Sequence, residues 1–192
     1  MPHAIYQTPA LVLSVTAMKE SNKLAVLYTR DFGLVYVAAQ SVRELSSKMK
    51  SQLHSYSFVE VDLVRGRDIW RLTGIHEKYH VLKYVGSKWY PFMTKVAGTI
   101  KRLCPGEEPH EGIWNDIEKL EEIISQGSTA VTSHELEIII LARLLYHLGY
   151  WSGHETLVEA DNCIDLEVLA YLKKHQTSLI VDINEGLQGS QL

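Results

Sequence analysis

The chain has 192 residues, 46% apolar and 22% charged, with two cysteines and a formal net charge of −4. This is an ordinary globular composition. It excludes a disulfide scaffold, because Cys104 and Cys163 lie far apart and read as reduced, buried thiols, and it excludes a membrane span, because no apolar run approaches the roughly 18 residues that one needs.

The first eighty residues read as strands in chain order. Leu11, Leu13 and Val15 alternate with Val12, Ser14 and Thr16; Leu24, Val26 and Tyr28 with Ala25 and Leu27; Val35 and Val37 with Leu34, Tyr36 and Ala38. Val59, Val61 and Leu63 alternate with Glu60 and Asp62, and a fifth strand is expected from Ile69 to Thr73. Period two with β-branched and aromatic residues is the strand pattern. Turn-formers separate the runs at Lys19-Glu20-Ser21-Asn22, Arg30-Asp31-Phe32-Gly33 and Arg65-Gly66-Arg67-Asp68. Five short antiparallel strands suit a small closed barrel, which leaves no open edge. The polar, basic stretch 40–54 is too long for a hairpin turn, and in an OB-fold the connection between strands three and four has room for a helix.

After Tyr79 the period becomes helical. Phe92, Val96, Ile100 and Leu103 form one stripe, with Pro91 in the first turn and Pro105-Gly106 as the stop. Ile113, Ile117, Leu120 and Ile124 form the next, with Glu118, Glu121 and Glu122 outward. Thr132 and Glu135 make a capping box that opens a helix through Leu136, Ile139, Ile140, Leu144 and Leu148, ended by Gly149. Ile164, Val168, Leu169 and Leu172 form another, with Lys173 and Lys174 at its C-terminus. Thr177 caps a short final helix through Ile180, Ile183 and Leu187, a stretch that also reads as strand at Ile180-Val181. The fold class is therefore α+β: a five-stranded OB-fold β-barrel over residues 1–80 and an all-α domain over 81–192.

Charge divides further along the chain, near residue 105. Residues 1–105 carry 15 Lys and Arg against 7 Asp and Glu, a balance of +8, whereas residues 106–192 carry 4 against 16, a balance of −12. The first half is suited to a polyanion; the second is not. Within the barrel the cations fall on loops. Arg30 lies in the second turn, Arg43, Lys48 and Lys50 in the long connection, and Arg65, Arg67 and Arg71 around the last hairpin. These are the expected DNA-binding residues. Aromatic residues interleave with them, and Phe32, Tyr56 and Trp70 are the candidates for base stacking, although Tyr28 and Trp70 suit barrel core equally well. No base-reading element is evident, so binding should tolerate sequence.

His76-Glu77-Lys78-Tyr79-His80 matches the H-E-x-x-H zinc-protease pattern. That pattern needs an established helix and a third ligand. These residues leave a strand, and nothing downstream supplies the ligand, so the match reads as coincidence and no metal or other cofactor is expected. There is no phosphate-binding loop, no dinucleotide fingerprint and no nucleophile elbow; the carboxylates read as solvated helix faces. An enzyme is not expected.

Three stretches resemble the RecO family of recombination mediators. Ala10-Leu11-Val12-Leu13 with Glu20 and Tyr28-Thr29-Arg30-Asp31-Phe32-Gly33-Leu34 is similar to the family's opening hairpin. Residues 42–50 with Leu53-His54-Ser55-Tyr56-Ser57 look like its basic connection, and residues 59–72 like its last hairpin. Leu144-Leu145-Tyr146-His147-Leu148-Gly149-Tyr150 is similar to the family's helix ending in Leu-Gly, and the end of the chain, from Ile183, is reminiscent of some members. The resemblance implies an OB-fold that binds single- and double-stranded DNA, strand annealing, and help in loading recombinase on DNA coated with single-strand-binding protein. It implies RecR and the C-terminal tail of that protein as partners, and no catalysis. A cytoplasmic, nucleoid-associated location is the expectation from an N-terminus without the pattern of a signal peptide. By position, Arg43, Lys48 and Lys50 would meet phosphates, with Arg65 and Arg67 beside them. Many members carry a cysteine-rich zinc module after the Leu-Gly helix; here that place reads Tyr150-Trp151-Ser152-Gly153-His154, and the chain is shorter than usual. The rival readings are an RNA- or ribosome-associated OB module, a zinc enzyme using His76, Glu77 and His80, and an adaptor that touches no nucleic acid.

Overall fold

The computed structural model describes residues 4–18, 22–39, 52–84, 89–104, 106–127, 131–158 and 165–189. The chain divides into two compact units, one of residues 1–87 with 104–111, the other of residues 88–103 with 112–192. Among the described residues, no helix is long and apolar enough to cross a membrane.

The first unit is built on five strands: β1 (Ile5–Ala17), β2 (Lys23–Thr29), β3 (Gly33–Ala39), β4 (Ser57–Val64) and β5 (Trp70–His80). They close in the order β1-β2-β3-β5-β4, with β4 pairing back to β1. The thirteen residues of β1 make closure possible. Its first part, from Ile5 to Leu11, runs antiparallel to β4, and its later part, from Ala10 to Ala17, antiparallel to β2. A register shift between Val12 and Ser14 sits at the change of partner, where a bulge raises the local twist. The last seam is the short parallel pairing of Val37 with Trp70 and Ala38 with Arg71. This is the OB-fold barrel that the alternation predicts. Val12, Leu27, Val35, Val37, Val61, Leu63, Trp70 and Leu72 fill the interior. The alternation is only half visible in burial, because outward-facing Leu11, Val26, Tyr28 and Leu34 are buried as well. A one-turn helix, α1 (Val81–Tyr84), follows β5.

β5 is eleven residues long, running through to His80 where the sequence points to an end at Thr73. Ser57 and Phe58 at the start of β4 pair with His80 and Tyr79, so cross-strand bonding carries β5 past Gly74.

The second unit contains α2 (Tyr90–Leu103), α3 (Glu111–Ser125), α4 (Ser133–His147), α5 (Glu155–Val158) and α6 (Leu166–Gly189). Pro91 occupies the first turn of α2, and Phe92, Val96, Ile100 and Leu103 are buried, as the stripe predicts. The capping box at α4 forms in full: Thr132 Oγ1 accepts from the Glu135 amide at 3.2 Å, and Glu135 Oε2 accepts from the Thr132 amide at 2.8 Å. Gly149 then takes φ +76° just past the end of α4. The two terminal helices expected from the sequence are one helix of 24 residues. The stretch Lys173-Lys174-His175-Gln176-Thr177-Ser178 holds no Gly or Pro to break it, and Ser178 turns its hydroxyl back to the His175 carbonyl at 2.9 Å instead of capping a new start.

The carboxylates are not all on solvated faces. Asp116 is buried on α3. Its Oδ1 accepts from Arg143 Nε at 2.6 Å, and its Oδ2 lies 3.0 Å from His147 Nε2, both partners on α4. Arg143 Nη1 also donates to the Leu157 carbonyl at 2.9 Å, tying α5 to the pair.

Candidate nucleic-acid interface

Two connections of the barrel meet over its mouth. The β2–β3 turn carries Arg30, Asp31 and Phe32. Arg30 Nε donates to Asp31 Oδ1 at 3.0 Å, and both side chains are about half exposed, at 54% and 40%. Burial alone would raise the Asp31 carboxyl. Hydrogen bonds from Arg30 and Thr8, with the Arg30 charge, outweigh it and hold the group below its ordinary value. The turn is shaped by Thr29, whose hydroxyl bonds the Gly33 carbonyl and accepts from the Phe32 amide, and by Gly33 at φ +62°. The β4–β5 hairpin carries Arg65 and Arg67, both exposed, and delivers half-buried Arg71 to β5.

The two connections are joined by rings. Phe32 lies 4.9 Å from Trp70, and Tyr6 at the start of β1 stands edge-on to both, at 5.5 and 5.6 Å. The Arg65 guanidinium sits 5.3 Å from the Trp70 ring centre, a cation–π distance. Sequence reading missed Tyr6, yet the antiparallel pairing of Tyr6 with Leu63 places it beside the hairpin, and it is 40% exposed.

The stacking candidates divide. Phe32 is half-buried and packs at the edge of the core. Trp70 is 2% exposed, a barrel-core residue with its ring covered by Tyr6, Phe32 and Arg65, so no base can stack on it as it stands. Tyr56 is also buried, at a positive φ of 68°, and its backbone links Val12 to Val81. It connects the barrel to α1 and offers no platform. Arg43, Lys48 and Lys50 lie outside the described residues.

A second residue missed in the sequence is Glu107. The segment 104–111 returns to the barrel unit, where the Leu34 amide donates to the Gly106 carbonyl at 2.9 Å. A Cβ at Gly33 would collide with the Glu108 backbone, so only glycine permits this approach. Glu107 then accepts from Arg65 Nη2 and from the Trp70 indole N–H, each at 3.0 Å. No local pattern announces a contact across 37 to 42 residues. Cys104, at the head of this segment, is buried, which pushes its thiol up to about 12.

The H-E-x-x-H residues stand on β5, correcting the expectation that they leave it. In extended chain, positions four apart are about 13 Å from each other, far too distant for His76 and His80 to share a zinc ion. His80 instead stacks on His54, with ring centres 5.0 Å apart. Among the described residues, no group of three or more His, Cys, Asp and Glu could hold a metal.

Residues 1–77 match the family described as Recombination protein O N terminal. The chain is 27% identical over 149 residues to the DNA repair protein RecO of Laribacter hongkongensis, covering 76% of this chain and 60% of that protein. It is 36% identical over 73 residues to the DNA repair protein RecO of Dehalococcoides mccartyi strain 195, covering 38% of this chain and 28% of that one. The chain thus spans less than two thirds of the length of either relative.

Proposed function

We infer that this chain, whose residues 1–77 match the family described as Recombination protein O N terminal, is a RecO-family protein that acts in DNA repair and recombination as a non-enzymatic, DNA-binding mediator. The observation that carries the reading is the barrel mouth, where Arg65 lies over the Trp70 ring of the Tyr6–Phe32–Trp70 cluster and exposed Arg30 and Arg67 stand on the two connections beside it, on a closed OB barrel. Guanidinium groups track phosphates, and half-exposed rings accept bases. Tyr6 and Phe32 are the stacking residues in this reading; Trp70 supplies the rigid floor. Arg43, Lys48 and Lys50, outside the described residues, are proposed as further phosphate contacts. Annealing of single strands, loading of recombinase on protein-coated DNA, and docking of a RecR-type protein and of the single-strand-binding protein's tail complete the role, with the barrel unit binding DNA and the helical unit binding partners.

The test is fluorescence anisotropy of a labelled single-stranded oligonucleotide over a series of salt concentrations. Wild type is expected to bind, and to weaken as salt rises. Arg43→Ala/Lys48→Ala/Lys50→Ala and Arg65→Ala/Arg67→Ala should each bind less tightly with a shallower salt slope. No binding at low salt would remove DNA from the role of the barrel. Tighter binding of RNA than DNA in competition would move the role to RNA.

A further inference from the structure

We propose that the Arg65 guanidinium and the Trp70 indole N–H form a phosphodiester-binding site, and that Glu107 occupies it in the free protein as an internal stand-in for phosphate. This rests on the DNA-binding reading above. The donors are in place and both are engaged by one carboxylate, Oε2 from Arg65 and Oε1 from Trp70, each at 3.0 Å. A carboxylate and a phosphate present the same bidentate pair of anionic oxygens to an arginine. The Arg65 side chain is 67% exposed and that of Glu107 43%, so a strand at the barrel mouth can reach the pair. Trp70 is 2% exposed, and its ring is fixed by Tyr6, Phe32 and the barrel core. Its N–H therefore keeps its direction when Glu107 turns away, and the site is preformed.

The stand-in is held by more than its own charge. Gly106 is bonded to the Leu34 amide, and the Glu108 backbone lies against Gly33. The segment stays at the mouth whichever anion the donors hold, so displacement needs only rotation of the Glu107 side chain. The consequence is a built-in competitor. An incoming phosphate gains a site only by releasing an ion pair, which lowers affinity and removes one phosphate contact from the salt dependence. Trp70 thus takes part through the edge of its ring, where sequence reading assigned its face.

The experiment uses the full chain and a labelled oligo-dT strand, with anisotropy measured at several salt concentrations. Glu107→Gln keeps an acceptor for the indole and removes the charge. It is expected to bind several-fold tighter than wild type, with a salt slope steeper by about 0.7, the increment for one phosphate on single-stranded DNA. Arg65→Ala added to Glu107→Gln should abolish both gains. Glu108→Gln, the same charge change one residue away, should reproduce neither. Glu107→Ser is the second variant if Glu107→Gln folds poorly, and should behave alike. If wild type binds with salt dependence but Glu107→Gln matches it in affinity and slope, the stand-in is overturned and the DNA-binding reading survives. Equal gains from Glu108→Gln would also overturn it, because the effect would be general charge. If neither wild type nor variants bind at low salt, both readings fall.

Discussion

Arg143 sits in a stretch of α4 whose other members from Ile138 to Leu145 are all apolar, and it is 8% exposed. A cation there is tolerable only with a partner, since an unpaired buried charge is among the costliest features a fold can carry. Asp116 is that partner, and both of its oxygens are used. Arg143→Ala leaves Asp116 buried against a vacancy and is expected to cost about 3–5 kcal/mol, read as a lowered denaturation midpoint by circular dichroism. A change below about 1 kcal/mol would mean that the pair is not closed in solution. The other residue-scale prediction concerns His80. Burial, then the charge of His54 and that of Lys83, hold its imidazole below the ordinary 6.5, while Glu77 pulls the other way. The folded state thus binds this proton less readily than the unfolded chain. Its contribution to stability is full above pH 6.5 and is lost as pH falls through 6.5 toward the lower folded value. Melting temperature measured against pH should decline over that window, and His80→Asn should flatten the decline; an unchanged profile in the variant would refute this role.

At the scale of elements, strand and helix identity follow from periodicity, and the ends follow from partners. The Thr132–Glu135 box is local, so the start of α4 is legible in four residues. The extent of β5 is not local, because Tyr79 and His80 are held extended by Phe58 and Ser57 across the sheet. The same holds for α6, where Thr177 resembles a cap but lies inside a continuous helix. Gln176→Pro distinguishes the two arrangements. Between separate helices it would cost little, while inside one helix it removes a bond and clashes with the previous turn, costing about 3 kcal/mol or more. A clear loss of helical signal or of melting temperature is expected; a variant as stable as wild type would restore the break. Strand register also corrected the stacking list. The inward positions of β5 begin at Trp70, which makes that ring part of the core, and the pairing of β1 with β4 brings Tyr6 into its place at the mouth.

For the molecule as a whole, the charge split of +8 and −12 was legible by counting, and it pointed to the first half of the chain as the part that meets a polyanion. Counting could not reveal that segment 104–111, across the charge boundary, belongs with the barrel. The sequence by itself determined what local chemistry encodes: five alternating strands, the helical stripes, the N-cap of α4, and the turns that carry Arg30, Arg65 and Arg67. The tertiary structure alone decided which of these groups meet. It set Glu107 against Arg65 and Trp70, Asp116 against Arg143, and Tyr6 against Phe32, pairs separated by 26 to 42 residues. Periodicity and capping act over a few residues, whereas these contacts exist only because barrel closure and helix packing bring distant segments together.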